Sequence, residues 1–141
     1  MNITDTKSIA TPQRSPAITI ASILYLVFGL GTLVVNVPVI AFMMRNRTFP
    51  VVLGIPLLGS SFAERLGMDF MIRASIVFQI VNALDALAGY WLWKSEKRGG
   101  RLGLIMVAVG LPFWILFELP LFLIAGPVRV IALAAGWKSL R

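Results

Sequence analysis

Three ionisable side chains, Asp85, Glu118 and Arg129, stand inside long apolar runs of this 141-residue chain. A charge at bilayer depth costs ~2.5–3.5 kcal/mol on insertion scales, so each of the three needs a partner or a task. Asp85 has polar company. Within Met71–Trp93, the residues Ser75, Gln79, Asn82, Ala86 and Gly89 follow one another at steps of four, three, four and three. At ~100° per residue they fall in one sector of a helix about 80° wide, a small-and-polar face with Asp85 at its edge.

Two chemistries suit such a group within one chain, and a third arrangement pairs Asp85 with another subunit. In the first, Asp85 and Arg129 form a neutral pair, supported by Gln79 and Asn82, that fixes helix register. In the second, Asp85 gains and loses a proton or cation as a solute passes. A fixed guanidinium beside an acid favours the ionised form, which opposes proton exchange. The placement of Arg129 therefore decides between the two. Glu118 is expected at the outer end of the third span, as a solvated acid or as an entrance acid beneath an apolar loop. Asn36 is expected within a kink made by Pro38 in the first span, as a packing residue rather than a ligand contact.

Other chemistry is excluded by what is missing. The chain has no Cys and no His. Thiolate catalysis, disulfide exchange, thiolate or imidazole metal sites and histidine-ligated haem are all ruled out. No nucleophile–base pair and no phosphate-binding glycine loop is present, and the two acids inside spans are not spaced as a general acid/base pair. The expectation is a protein without catalysis of its own, without metal and without cofactor.

The elements that must position these residues follow from composition. The chain is 58% hydrophobic and 13% charged, about half the charge of a soluble domain. That pattern predicts an all-α integral membrane protein, a four-transmembrane-helix bundle. Residues 1–15 read as a disordered polar tail and 16–141 as the membrane domain. The spans are expected at about 16–44, 70–93, 101–118 and 120–138. Ser15-Pro16 starts the first, Asp69 caps the second, and Glu118-Leu119-Pro120 turns the third into the fourth. Ser22, Gly29 and Asn36 recur every seven residues on span one, where small side chains let helices approach closely. Together with Ser75, Ala86 and Gly89 on span two they form the expected packing face.

Residues 45–67 are a long apolar connection broken by Pro50, Gly54, Pro56 and Gly59. An irregular outer loop is expected there, lying in the interface or acting as a lid or docking segment, followed by a short helix that begins with the capping box Ser61-x-x-Glu64. Gly99-Gly100 is read as the turn before span three.

Net charge is +7. The basic residues cluster at span ends, which suits a lipid bilayer as partner and argues against nucleic acid. One side holds Lys7, Arg14, Lys94, Lys97, Arg98, Arg101, Lys138 and Arg141, and the other Arg45, Arg47, Arg65 and Arg73. This bias puts both termini in the cytoplasm of a cell-membrane protein. The leading functional expectation is an accessory or assembly subunit that binds other membrane subunits or copies of itself. An Asp85 already satisfied within one chain counts against that reading. A small-solute or ion carrier coupled to Asp85 is the alternative, and a lipid-binding protein with acyl chains under residues 49–58 is a weaker one.

Overall fold

A computed structural model describes residues 14–56 and 61–141. Most of the expected N-terminal tail and the stretch from Leu57 to Ser60 lie outside the described residues. Four helices are long and apolar enough to cross a membrane. They are α1 (Pro16–Asn46), α3 (Met68–Trp93), α4 (Lys97–Leu116) and α5 (Pro120–Gly136), the last continued by one 3-10 turn, Trp137–Ser139. The short helix α2 (Ser61–Leu66) precedes α3.

Local chemistry sets these boundaries. Pro16 and Pro120 open α1 and α5, where a missing N–H is harmless. Gly67, at φ +83°, ends α2 and turns the chain into α3. Asp69 lies inside the first turn of α3 rather than capping it, because Gly67 takes the cap position and the Asp69 carboxylate pairs with Arg47. Gly99 and Gly100, expected in a turn, are instead helical and buried in α4. The reason is packing. A Cβ on Gly99 would meet the Leu92 backbone nitrogen at 2.7 Å, and one on Gly100 the Trp137 ring at 2.7 Å. The α3–α4 connection is therefore tighter than expected, through Lys94–Glu96.

The outer connection is also more regular than expected. Val51–Val52 and Ile55–Pro56 form a two-residue antiparallel ladder. Leu53 and Gly54 both have positive φ, +54° and +81°, as a tight hairpin turn requires. β-Branched residues on both sides of a Leu-Gly turn favour this pairing. Leu53 at the tip is 97% exposed.

The closest approach in the bundle is α1 against α3. A Cβ on Gly29 would stand 2.6 Å from the Ala86 nitrogen, and one on Gly89 2.8 Å from the Leu26 nitrogen. The Ser22 hydroxyl donates to the Gly89 carbonyl at 3.1 Å. Gln79 Nε2 donates to the Leu33 carbonyl at 3.3 Å. Glycine, alanine and serine on the two facing stripes bring the backbones together, so dispersion contacts replace the lipid that each face would otherwise hold. The remaining packing is aromatic. Phe78 lies 5.4–5.5 Å from the rings of Phe113 and Phe117, and Phe122 lies 4.9 Å from Phe28. Trp114, 2% exposed, fills the space left by Gly110 and Gly126.

These contacts show that the helices are unequal in reach. The α4–α5 turn sits level with Phe78 on α3 and with Phe28–Leu33 on α1. Beyond that level α1 continues through Val34–Asn46 and α3 through Met68–Val77, about 20 Å and 15 Å at ~1.5 Å per residue. Phe49, from the outer connection, packs back against Met43 and Ile72 and covers part of these arms.

Gly89→Ala is expected to lower thermal stability in detergent by ~1–3 kcal/mol, because its methyl meets backbone that cannot yield. Gly31→Ala, with nothing within 4 Å of the added carbon, should be neutral or stabilising by up to ~1 kcal/mol. Equal effects at the two positions would contradict the α1–α3 packing.

Candidate functional site

Asp85 and Arg129 meet inside the bundle. Arg129 Nη1 donates to Asp85 Oδ2 at 2.9 Å, with the side chains 0% and 3% exposed. The equal-depth expectation required α3 and α5 to be neighbours. Instead α1 and α4 each pack against both α3 and α5, and α3 and α5 face each other across a diagonal. The arginine is long enough to reach across it. Its guanidinium lies between two aromatic rings of α1, 4.7 Å from the Tyr25 centroid and 4.8 Å from Phe28. Ring faces carry negative potential and attract a desolvated cation, so the aromatics supply part of what water would supply outside.

The expected support for the pair comes from elsewhere. Asn82 Nδ2 donates to the Phe78 carbonyl of its own helix at 2.7 Å, and Gln79 reaches across to Leu33. Each amide has a backbone carbonyl in range, so neither is bonded to the ion pair. Several buried atoms have no hydrogen-bond partner among the described residues: Tyr25 Oη, Asp85 Oδ1, Arg129 Nε and Nη2, Ser75 Oγ, Gln79 Oε1 and Asn82 Oδ1. Tyr25 is the main residue that the reading of the sequence missed. Its signal was present, because Ser22, Tyr25 and Gly29 share one face at steps of three and four. Gly103 completes the fit, since a Cβ there would stand 2.9 Å from the Tyr25 hydroxyl.

The other candidates are not drawn to this pair. Asn36 is buried, 6% exposed, in the C-terminal half of α1. It lines an apolar recess of about 390 Å³ with Val35, Val39, Phe78, Leu119 and Phe122. Neither Asp85 nor Arg129 lines that recess. Glu118 is exposed in the α4–α5 turn at φ +50°, well separated along α5 from Arg129. Ser22, Gly29, Ser75, Ala86 and Gly89 lie on the α1–α3 side of the bundle, the first three and Gly89 buried. Of the segment proposed as a lid over Glu118, Leu57 and Leu58 lie outside the described residues.

Comparison of the chain with models of known protein families, with curated proteins and with solved structures finds no match. What the site can do therefore rests on its own geometry. A carboxylate and a guanidinium in contact, both out of water, have zero net charge. They act as a cross-brace linking three helices, α3 and α5 through the ion pair and α1 through its rings. Removing one charge leaves the other buried and unpaired, which typically costs ~3–5 kcal/mol.

Tyr25→Phe keeps the ring under the guanidinium and removes a buried hydroxyl that lacks a partner. Thermal unfolding should show it to be neutral or stabilising by ~1 kcal/mol. Tyr25→Leu loses the ring face and should destabilise by ~2 kcal/mol or more. A Phe variant as unstable as the Leu variant would show that the hydroxyl, not the ring, holds the arginine.

Proposed function

We propose that this chain is a small non-catalytic interaction protein of a cell membrane, an accessory or assembly subunit that joins other membrane subunits or copies of itself. Both termini lie in the cytoplasm, as the excess of Lys and Arg at that end favours. The internal Asp85–Arg129 bond removes Asp85 as a contact residue. The reading rests instead on the outer arm of α1. That arm extends past the α4–α5 hairpin and exposes Val34, Val35 and Val37 at 74%, 60% and 59%. Beside it opens the recess that holds Asn36, and the Leu53 tip of the hairpin projects at the same end. A 31-residue α1 is ~46 Å long against ~30 Å of hydrocarbon. Tilt or a partner must absorb the excess apolar length. An apolar segment of another subunit laid along Val35 and Phe122 would do so and would give the Asn36 amide a defined environment.

A photo-crosslinker at Val35 in native membranes should give a discrete protein adduct, while one at Ile105 on the exposed side of α4 should give lipid adducts only. Absence of any protein adduct at Val35, with a monomeric mass in mild detergent, would exclude this role.

A carrier coupled to Asp85 is the second reading. The polar atoms without partners around the ion pair favour it, because they offer several hydrogen bonds to a small polar solute or to water. It requires that Asp85→Asn abolish proton-coupled flux in proteoliposomes while helicity is retained. Flux equal to the parent chain removes it.

A further inference from the structure

At the basic end the bundle has a second recess, between the inner halves of α4 and α5. Leu104, Val130 and Ala134 form its walls and the fully buried Leu133 its floor. Trp137 and Lys138 stand at its mouth, and its volume is about 500 Å³. The interior is apolar and the mouth is cationic. Arg101 and Lys97 precede Leu104 by three and seven residues, which places both on its face of α4 at the inner end.

The backbone of Arg141 is tied to this end. The Lys97 N–H donates to the Arg141 carbonyl at 2.8 Å, and the Arg141 N–H to the Ser95 carbonyl at 2.9 Å. Trp137 and Leu140 pack over Gly100, where a Cβ would meet them at 2.7 and 3.1 Å. Arg141 is thus fixed against the start of α4. Lys97, Arg101 and Lys138 gather around one end of the groove. Among the described residues the acidic side chain at this end is Glu96, and it is paired with Arg98.

We infer that this recess is a binding site for an anionic phospholipid of the leaflet at the basic end. One acyl chain lies along Leu104, Val130, Leu133 and Ala134. The phosphate is met by Lys138 and Arg101, and Trp137 sits at headgroup level. Charge complementarity selects this occupant. A recess between membrane helices that ends in lysine and arginine attracts an anionic headgroup by ~1 kcal/mol for each cation near the surface. A zwitterionic lipid offers no net charge to match. A second copy of this chain would bring the same cations to the same place and be repelled. The inference needs the membrane-spanning arrangement but not the interaction role proposed for the opposite end, so the two can fail separately.

The test is native mass spectrometry of the whole chain from nanodiscs with equal phosphatidylglycerol and phosphatidylcholine of identical acyl chains. About a tenfold excess of retained phosphatidylglycerol is expected. The double variant Arg101→Gln/Lys138→Gln should reduce it to parity. Ala134→Phe, which fills the recess and keeps every charge, should abolish retention of both lipids. Leu104→Trp serves the same purpose from the opposite wall, and circular dichroism identifies a filler variant that has not folded. Parity in the parent chain overturns the proposal. So does a phosphatidylglycerol preference unchanged by both folded fillers, because that result describes headgroups held at the surface without a seated chain.

Discussion

The bond between Arg129 and Asp85 constrains everything around it. Neither charge can stand alone in an apolar layer, and the two sit on helices that do not pack face to face. The bundle therefore has to hold α3 and α5 at a separation that one arginine side chain can cross. Helix α1 sets that separation. Its glycine and serine stripe lies against the backbone of α3, and its Tyr25 and Phe28 rings lie against the guanidinium. Small residues on one side of α1 and aromatic residues beside them make a single fitted piece. A change of register in α1 would disturb the close packing and the charge pair together.

The rest of the chain divides into two halves with different tasks. At the basic end, α1, α3, α4, α5 and the segment through Arg141 are all present. They are tied by Gly99 and Gly100, by Gly136 against Ile18, and by the hydrogen bonds of Arg141. Tyr90, Trp91 and Trp93 each carry a cation on the ring face, from Lys94, Arg98 and Arg14. This end is built as a membrane–water boundary. At the opposite end α4 and α5 have already turned back, and α1 and α3 continue with Phe49 against them. Fewer elements share the packing there, and more apolar surface remains open.

The four helices were legible because a long apolar run bounded by charged residues has few alternatives. The turn before Pro120 was legible because a proline fixes the end of the preceding helix. The Asp85–Arg129 pair could be anticipated from depth alone, since helical rise places residues along the membrane normal. Its surroundings could not be. Rise says nothing about which helices are neighbours, so the diagonal crossing and the Tyr25–Phe28 cradle appear only with the packing. Gly99-Gly100 misled for a related reason. Paired glycines signal a turn when judged locally, whereas here they let Leu92 and Trp137 approach a helix. The Val51–Pro56 hairpin was hidden by its prolines and by a leucine at positive φ, neither of which marks a strand pair.

Asp85 and Arg129 act as one structural unit. A double-mutant cycle with Asp85→Ala, Arg129→Ala and the double variant, read by unfolding in detergent, measures that directly. Each single change should be severe and the double far less destabilised than their sum, a coupling of ~2–3 kcal/mol or more. Additive effects, with each single change tolerated, would contradict it and show that the two charges are satisfied independently.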